Sequence, residues 1–215
     1  RCSTMCITCV RREAWPDPMT DARLILLAAG GTGGHLFPAE ALAHALKARG
    51  CRVMLVTDER AAAYAGSFPA EAIHAVPAAT PSGGHPLRKL MAAATLARGV
   101  IAARSLVKRL NPAVVVGFGG YPTVPPVLGA SLADARTIIH EQNAVMGRAN
   151  RFLSGRVTAI ATGFSKVAGA EKVAGKLHHV GNPVRPAVIA AAATPWRPLE
   201  PNGKLNLLVF GGSQG

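Results

Sequence analysis

The feature that most constrains this chain is the alternation of short apolar runs with helical patterns. Residues 23–29 are apolar at every position from Leu24 onward, as expected for a strand covered on both faces in a parallel sheet. A glycine turn follows. From Phe37 the residues Ala39, Leu42, Ala43 and Leu46 recur at helical spacing, with Pro38 read in the first turn, Lys47 and Arg49 in the last and Gly50 as the stop. Further strands are predicted at residues 52–57, 72–76, 113–116, 137–140, 157–161 and 177–180, most of them separated by helical patterns. The alternation predicts an α/β fold with a doubly wound, mostly parallel, Rossmann-like sheet, whose ligands bind at the carboxyl ends of the strands.

The 215 residues are 49% apolar, enough for one large core and the beginning of another. The domain is expected over residues 19–192. Residues 193–204, with Pro195, Pro198, Pro201 and Gly203, lose all periodicity and read as a linker. Residues 205–215 then read as a buried strand and the glycine turn Gly211-Gly212-Ser213-Gln214-Gly215, which would feed the first helix of a second domain. At the other end residues 1–18 have no period, and an upstream or disordered extension before Met19 is expected. The apolar stretch at 6–10 is too short for a signal peptide and runs into Arg11-Arg12-Glu13. Cys2, Cys6, Cys9 and Cys51 form neither a disulfide framework nor a metal set with a fourth ligand, so a reducing compartment and no metal are expected. There is no run of about 18 charge-free apolar residues, and no spanning helix is expected.

A net charge of +13 calls for an anionic partner: nucleic acid, acidic lipid or a phosphorylated substrate. Aromatic residues make up only 5% of the chain, which argues against a single-strand nucleic-acid reader. No acidic residue occurs between Glu71 and Asp134, and Arg88, Lys89, Arg98, Arg104, Lys108 and Arg109 fall in that interval. They flank a helical stripe of Leu87, Leu90, Met91, Ala94 and Ile101. This is either a solvated basic face over a core stripe or a surface that docks on an anionic bilayer.

Two glycine turns follow strands. Gly30-Gly31-Thr32-Gly33-Gly34-His35 comes after the first and Gly117-Phe118-Gly119-Gly120-Tyr121-Pro122 after the fourth, each before a helix. Glycines let backbone approach a ligand, and the amides of a following helix favour an anion. Two such turns in one sheet suit a diphosphate. The first lacks the Gly-Lys-Ser/Thr ending of a Walker loop and has Leu36 where a dinucleotide fingerprint needs glycine. Asp58 ends the second strand where a ribose-binding acid would sit, which keeps a nicotinamide enzyme in view; packing alone is the other reading of the glycines. His35, beside the first turn, is either structural or a group that accepts a proton or bonds to a phosphate.

These turns, with Phe37-Pro38, His140-Glu141-Gln142-Asn143, Gly181-Asn182-Pro183-Val184-Arg185 and the 211–215 turn, resemble the glycosyltransferase family 28 enzymes that act on lipid I. The order and spacing agree from about Leu24 onward. The resemblance implies the N-terminal, acceptor-binding domain of a two-domain GT-B fold, with residues 205–215 opening a donor-binding domain. It implies an inverting transfer of N-acetylglucosamine from UDP-N-acetylglucosamine to the muramyl sugar of lipid I, giving lipid II for peptidoglycan. No cofactor or metal is called for when helix amides stabilise the leaving diphosphate. By motif, Thr32, Gly33, Gly34, Asn143, Arg185 and Ser213 belong to the UDP-N-acetylglucosamine site, and Gly30, Gly31, His35, Gly119, Gly120 and Tyr121 to the acceptor's diphosphate, with His35 as the catalytic group. The basic helix becomes a contact with the anionic cytoplasmic face of the bacterial inner membrane, the enzyme being peripheral and not a nucleic-acid binder. Read without the family, Asn143 could cap the next helix and Arg185 could anchor the linker. The alternatives are another GT-B enzyme acting on a soluble acceptor or a UDP-sugar, and a membrane-binding module without catalysis. The 215 residues by themselves are expected not to transfer sugar.

Overall fold

A computed structural model describes residues 23–79 and 86–195, together with Lys204, Leu207 and Val209. The 1–18 extension, most of the 193–204 linker, and the 205–215 strand and turn apart from two positions, Ser213 included, lie outside the described residues. Seven strands, β1 (Leu24–Ala28), β2 (Arg52–Thr57), β3 (Ala72–Ala75), β4 (Val114–Gly117), β5 (Thr137–Glu141), β6 (Ala159–Thr162) and β7 (Leu177–His179), form one sheet in the order β3-β2-β1-β4-β5-β6-β7. Every pair is parallel. The strand predictions hold to within two residues at each end.

Alternation along β1 divides the core between the two faces of the sheet. Ile25, Leu27 and Ala29 join Val53, Leu55 and Phe118 beneath Ala39 and Ala43 of α1 (Gly33–Lys47). Leu26 turns the other way, with Val56 and Val115, against Leu106 and Val107 of α3 (Pro86–Leu110) and Ala130 of α4 (Val124–Ser131). A third cluster joins Ala28, Ile139 and Ile160 to Val127 of α4 and to Ala149 and Leu153 of α5 (Arg148–Leu153). The short helices α2 (Glu59–Tyr64) and α6 (Pro186–Ala192) follow β2 and β7.

One boundary differs from the sequence reading in a way that matters. α1 begins at Gly33, four residues before Phe37, so Pro38 lies inside the helix and not in its first turn. Extended Thr32 (φ −147°, ψ 159°) is its N-cap, and the Thr32 carbonyl accepts from the amides of His35 and Leu36, each at 3.2 Å. Gly33, Gly34 and His35 are therefore helix residues, and the first glycine turn is only Gly30-Gly31-Thr32. Glycine is a poor helix former, which hid the start.

α3 is long and apolar enough, over Leu87–Leu110, to cross a membrane by length and composition. Its packing sets it against the domain instead. Gly99 abuts the Pro77 carbonyl, Gly129 of α4 meets the backbone of Val100 and Arg104, and Ala103, Leu106 and Val107 are buried.

Candidate active site

The strand order reverses direction between β1 and β4, which are hydrogen-bonded neighbours. Ligands of open α/β sheets bind in the crevice at such a switch point, outside the carboxyl ends of the strands. Both glycine turns leave from those two strand ends, so residues far apart in the chain meet there. A cleft of about 760 Å³ is lined by Gly30, Gly31 and Thr32, by Gly33, His35 and Leu36 of α1, by Asp58, Arg60 and Ala61 after β2, and by Gly120, Tyr121 and Pro122. A second cavity of about 240 Å³ is lined by His35, Gly119, Gly120 and Tyr121 and by residues of the β5–α5 connection, including Glu141 and Asn143. His35, Gly120 and Tyr121 form the wall common to both.

His35 is held there by shape. Its ring lies so close to Gly120 (φ +76°, ψ 159°) that a β-carbon at that position would stand 3.0 Å from Cδ2 and 3.3 Å from Nε2. His35 Nδ1 is buried and has no hydrogen-bond partner. At Gly30 a β-carbon would come within 2.5 Å of Thr57 Oγ1 and 2.8 Å of Asp58 Oδ1, so only glycine lets β1 turn this close to β2. The amides of Gly33 and Gly34, which open α1 ahead of the two that donate to the Thr32 carbonyl, have no helix carbonyl to bond and, with the positive end of the helix dipole, favour an anion in the larger cleft.

The β5–α5 connection is organised by Glu141, a residue the sequence reading quoted only as part of a motif. Its side chain is 1% exposed, and its carboxylate accepts four hydrogen bonds. Oε1 takes the backbone amide of Asn143 (3.0 Å) and Asn143 Nδ2 (3.1 Å), while Oε2 takes the Gly147 amide (2.9 Å) and Asn150 Nδ2 (2.9 Å). Asn143 does not cap the following helix: α5 starts at Arg148 behind Gly147, and the Asn143 amide is turned to Glu141 instead. Asn150 also donates to the His140 carbonyl (3.1 Å) and borders Gly119. His140 Nε2 donates to Gly181 O at 3.0 Å, which leaves Nδ1 unprotonated and unpartnered in the interior. Burial holds its imidazole below the ordinary histidine value, outweighing the Gly181 bond and the Glu141 charge, both of which pull it up.

The other site residues named from sequence are distributed unevenly. Gly34 lies in the first turn of α1 but lines neither cavity. Arg185 lines neither as well; its guanidinium stacks 3.7 Å over the Phe37 ring centroid and Nη1 stands 3.7 Å from Glu40 Oε2. Ser213 is outside the described residues. Arg88, Lys89, Arg98, Arg104, Lys108 and Arg109 are all exposed on α3, though Arg104 Nε also donates to the Leu132 carbonyl (3.0 Å) at the end of α4. Among the described residues no three His, Cys, Asp or Glu side chains converge as a metal site.

Comparison with known proteins decides what this crevice is part of. Residues 25–162, more than half of the chain, match the model of the glycosyltransferase family 28 N-terminal domain. The chain belongs to glycosyltransferase family 28. Curated relatives are consistent with this. A UDP-N-acetylglucosamine--N-acetylmuramyl-(pentapeptide) pyrophosphoryl-undecaprenol N-acetylglucosamine transferase of Methylobacterium sp. (strain 4-46) is 62% identical over 193 residues, which is 89% of this chain and 52% of that protein. The protein of the same name from Allorhizobium ampelinum is 62% identical over 192 residues, covering 89% and 51%. The chain thus spans about half the length of the curated relatives it matches. Among solved structures, Acinetobacter baumannii MurG superposes with a TM-score of 0.59 at 26% identity, over 82% of this chain and 50% of that one. A UDP-N-acetylglucosamine 2-epimerase reaches a TM-score of 0.56 at 10% identity, over 76% of this chain and 47% of that one, which shows a shared fold only. Membership of family 28 and the Rossmann-like sheet together make this the N-terminal domain of a GT-B architecture.

Proposed function

We propose that this chain is the acceptor-binding part of an inverting glycosyltransferase that moves N-acetylglucosamine from UDP-N-acetylglucosamine to the muramyl sugar of lipid I, forming lipid II. The observation that carries the reading is the crevice between β1 and β4, where two glycine turns and the start of α1 converge on His35. An acceptor diphosphate lies against the glycine turns that follow β1 and β4 in that crevice, and the reacting hydroxyl is presented to His35. His35 receives the hydroxyl proton as the oxygen attacks the anomeric carbon and UDP leaves. Fixed amide donors stabilise the developing charge of the diphosphate without reorganising. Thr32, Gly33, Gly34, Asn143, Arg185 and Ser213 serve the donor in this reading, and Gly30, Gly31, Gly119, Gly120 and Tyr121 serve the acceptor.

Exposed Leu87, Leu90, Met91 and Ile101 on α3, among its basic side chains, support peripheral binding to the anionic cytoplasmic face of the inner membrane, where a lipid acceptor resides. The test is transfer of labelled sugar from UDP-N-acetylglucosamine to lipid I by the native gene product beside His35→Gln. We expect lipid-dependent transfer that falls about 10²- to 10⁴-fold in the variant, the range for losing a general base. Equal transfer to soluble acceptors, or an unimpaired variant, would overturn the reading.

A further inference from the structure

The segment that ends in Arg185 is clamped to the sheet before its guanidinium is considered. Gly181 accepts from His140 Nε2 at 3.0 Å, and Asn182 Nδ2 donates to the Gln142 carbonyl at 3.2 Å. The Asn182 amide also abuts Gly163, where a β-carbon would have no room. These contacts set the backbone leaving β7. They do not set the far end of a long, rotamer-rich arginine side chain, whose ordering carries a substantial entropy cost.

Two residues of α1 do. The guanidinium carbon of Arg185 stands 3.7 Å over the Phe37 ring centroid, and Nη1 is 3.7 Å from Glu40 Oε2. Phe37 and Glu40 are three residues apart in the helix and so share a face. The Phe37 ring itself lies across Gly33, where a β-carbon would come within 2.9 Å of it. Gly33 opens α1 and lines the larger cleft. Guanidinium, ring and helix start are therefore stacked in series. Phe37 is otherwise an unexplained apolar side chain, 45% exposed beside a polar crevice. A flat, weakly hydrated guanidinium is the cation that stacks best on such a ring and also forks onto phosphate oxygens.

We infer that Phe37 and Glu40 are positioning residues for the donor, holding the Arg185 guanidinium beside the start of α1 so that it and the first helix amides grip a nucleotide-sugar diphosphate together. The inference rests on the proposed assignment of Arg185 to the donor site. Glu40 fixes the guanidinium at one edge and leaves its other N–H groups to the ligand. Neither residue touches the reacting atoms, so their loss acts on donor binding and not on the chemical step.

Steady-state kinetics of the native gene product, with UDP-N-acetylglucosamine and lipid I varied separately, test this. Phe37→Leu is expected to raise the donor KM about fivefold, the loss of one exposed cation–π contact. Phe37→Tyr, which keeps the ring, should restore it, and Glu40→Gln should raise it about two- to threefold. The kcat, the lipid I KM and the melting temperature should stay near those of the parent in all three. Arg185→Ala separates the two layers of the argument. An unchanged donor KM in Arg185→Ala removes the donor assignment and the inference with it. A raised donor KM in Arg185→Ala with none in Phe37→Leu overturns the inference alone, as would tighter donor binding in Glu40→Gln or failure of Phe37→Tyr to rescue.

Discussion

Replacing Gly120 by alanine adds one methyl group where backbone conformation and the His35 ring both leave no space for it. With φ at +76° and ψ at 159°, Gly120 occupies a region that is almost closed to residues with a β-carbon, and holding one there costs about 1–3 kcal/mol. The new carbon would stand 3.0 Å from His35 Cδ2 and 3.3 Å from Nε2, against an ordinary carbon–carbon contact of about 3.5–4.0 Å. The ring must therefore retreat by about 0.5–1 Å, and with His35 as the proposed general base a misplacement of that size lowers turnover by up to about 100-fold. Gly50 supplies the control. It also has positive φ (+76°), at the end of α1, but a β-carbon there meets nothing within 4 Å. Gly50→Ala should lose about 1–2 kcal/mol, the cost of a left-handed alanine, and keep its turnover. Urea unfolding reads the stability of both variants, and sugar transfer to lipid I reads turnover. Full activity in Gly120→Ala, or an equal loss in Gly50→Ala, would refute the claim that Gly120 sets the position of His35.

Glu141→Gln should destabilise the protein by about 2–3 kcal/mol in urea unfolding, because a neutral amide cannot accept from all four donors that now surround the carboxylate; an unchanged midpoint would show that the network carries no net stability. His140 and His74 both titrate below the ordinary histidine value of 6.5, His140 through burial and His74 through burial and the Arg109 charge. The unfolded chain thus takes up protons near pH 6.5 that the folded chain still refuses, so these groups favour the fold above that pH and stability falls as pH drops toward their folded values. Unfolding followed from pH 7.5 down to 5.5 should display this loss, and His140→Gln should flatten it; an identical slope in the variant would assign the pH dependence elsewhere. On α3, Lys89→Ala with Arg98→Ala should weaken co-sedimentation with phosphatidylglycerol vesicles by about 2 kcal/mol, roughly 30-fold, since each charge near an anionic surface contributes about 1 kcal/mol. Equal binding to neutral vesicles would remove the electrostatic part of that reading.

The sequence alone determined the strands, the parallel sheet and the place of the glycine clusters after β1 and β4. Each of these rests on neighbours within one stretch of chain: an uninterrupted apolar run such as 24–29, a helical repeat such as Ala39, Leu42, Ala43 and Leu46, a glycine cluster after a strand. The start of α1 escaped the reading because Gly33 and Gly34 carry no helical preference and only the Thr32 carbonyl, in its folded position, identifies them as a first turn. Glu141 was visible in its motif, but its burial and four donors were not, since those come from a connection that folds back on the end of β5. The site itself was decided by tertiary structure. Pairing β1 with β4 skips two intervening strands, and that pairing is what brings Gly120 against His35; likewise the strand order that ends in β7 brings Arg185 back over Phe37. Local propensity falls off within a helical turn or a strand, whereas these contacts depend on which distant segments the assembled sheet makes neighbours, so the amino-acid pattern named the parts of the crevice and only the folded chain assembled them.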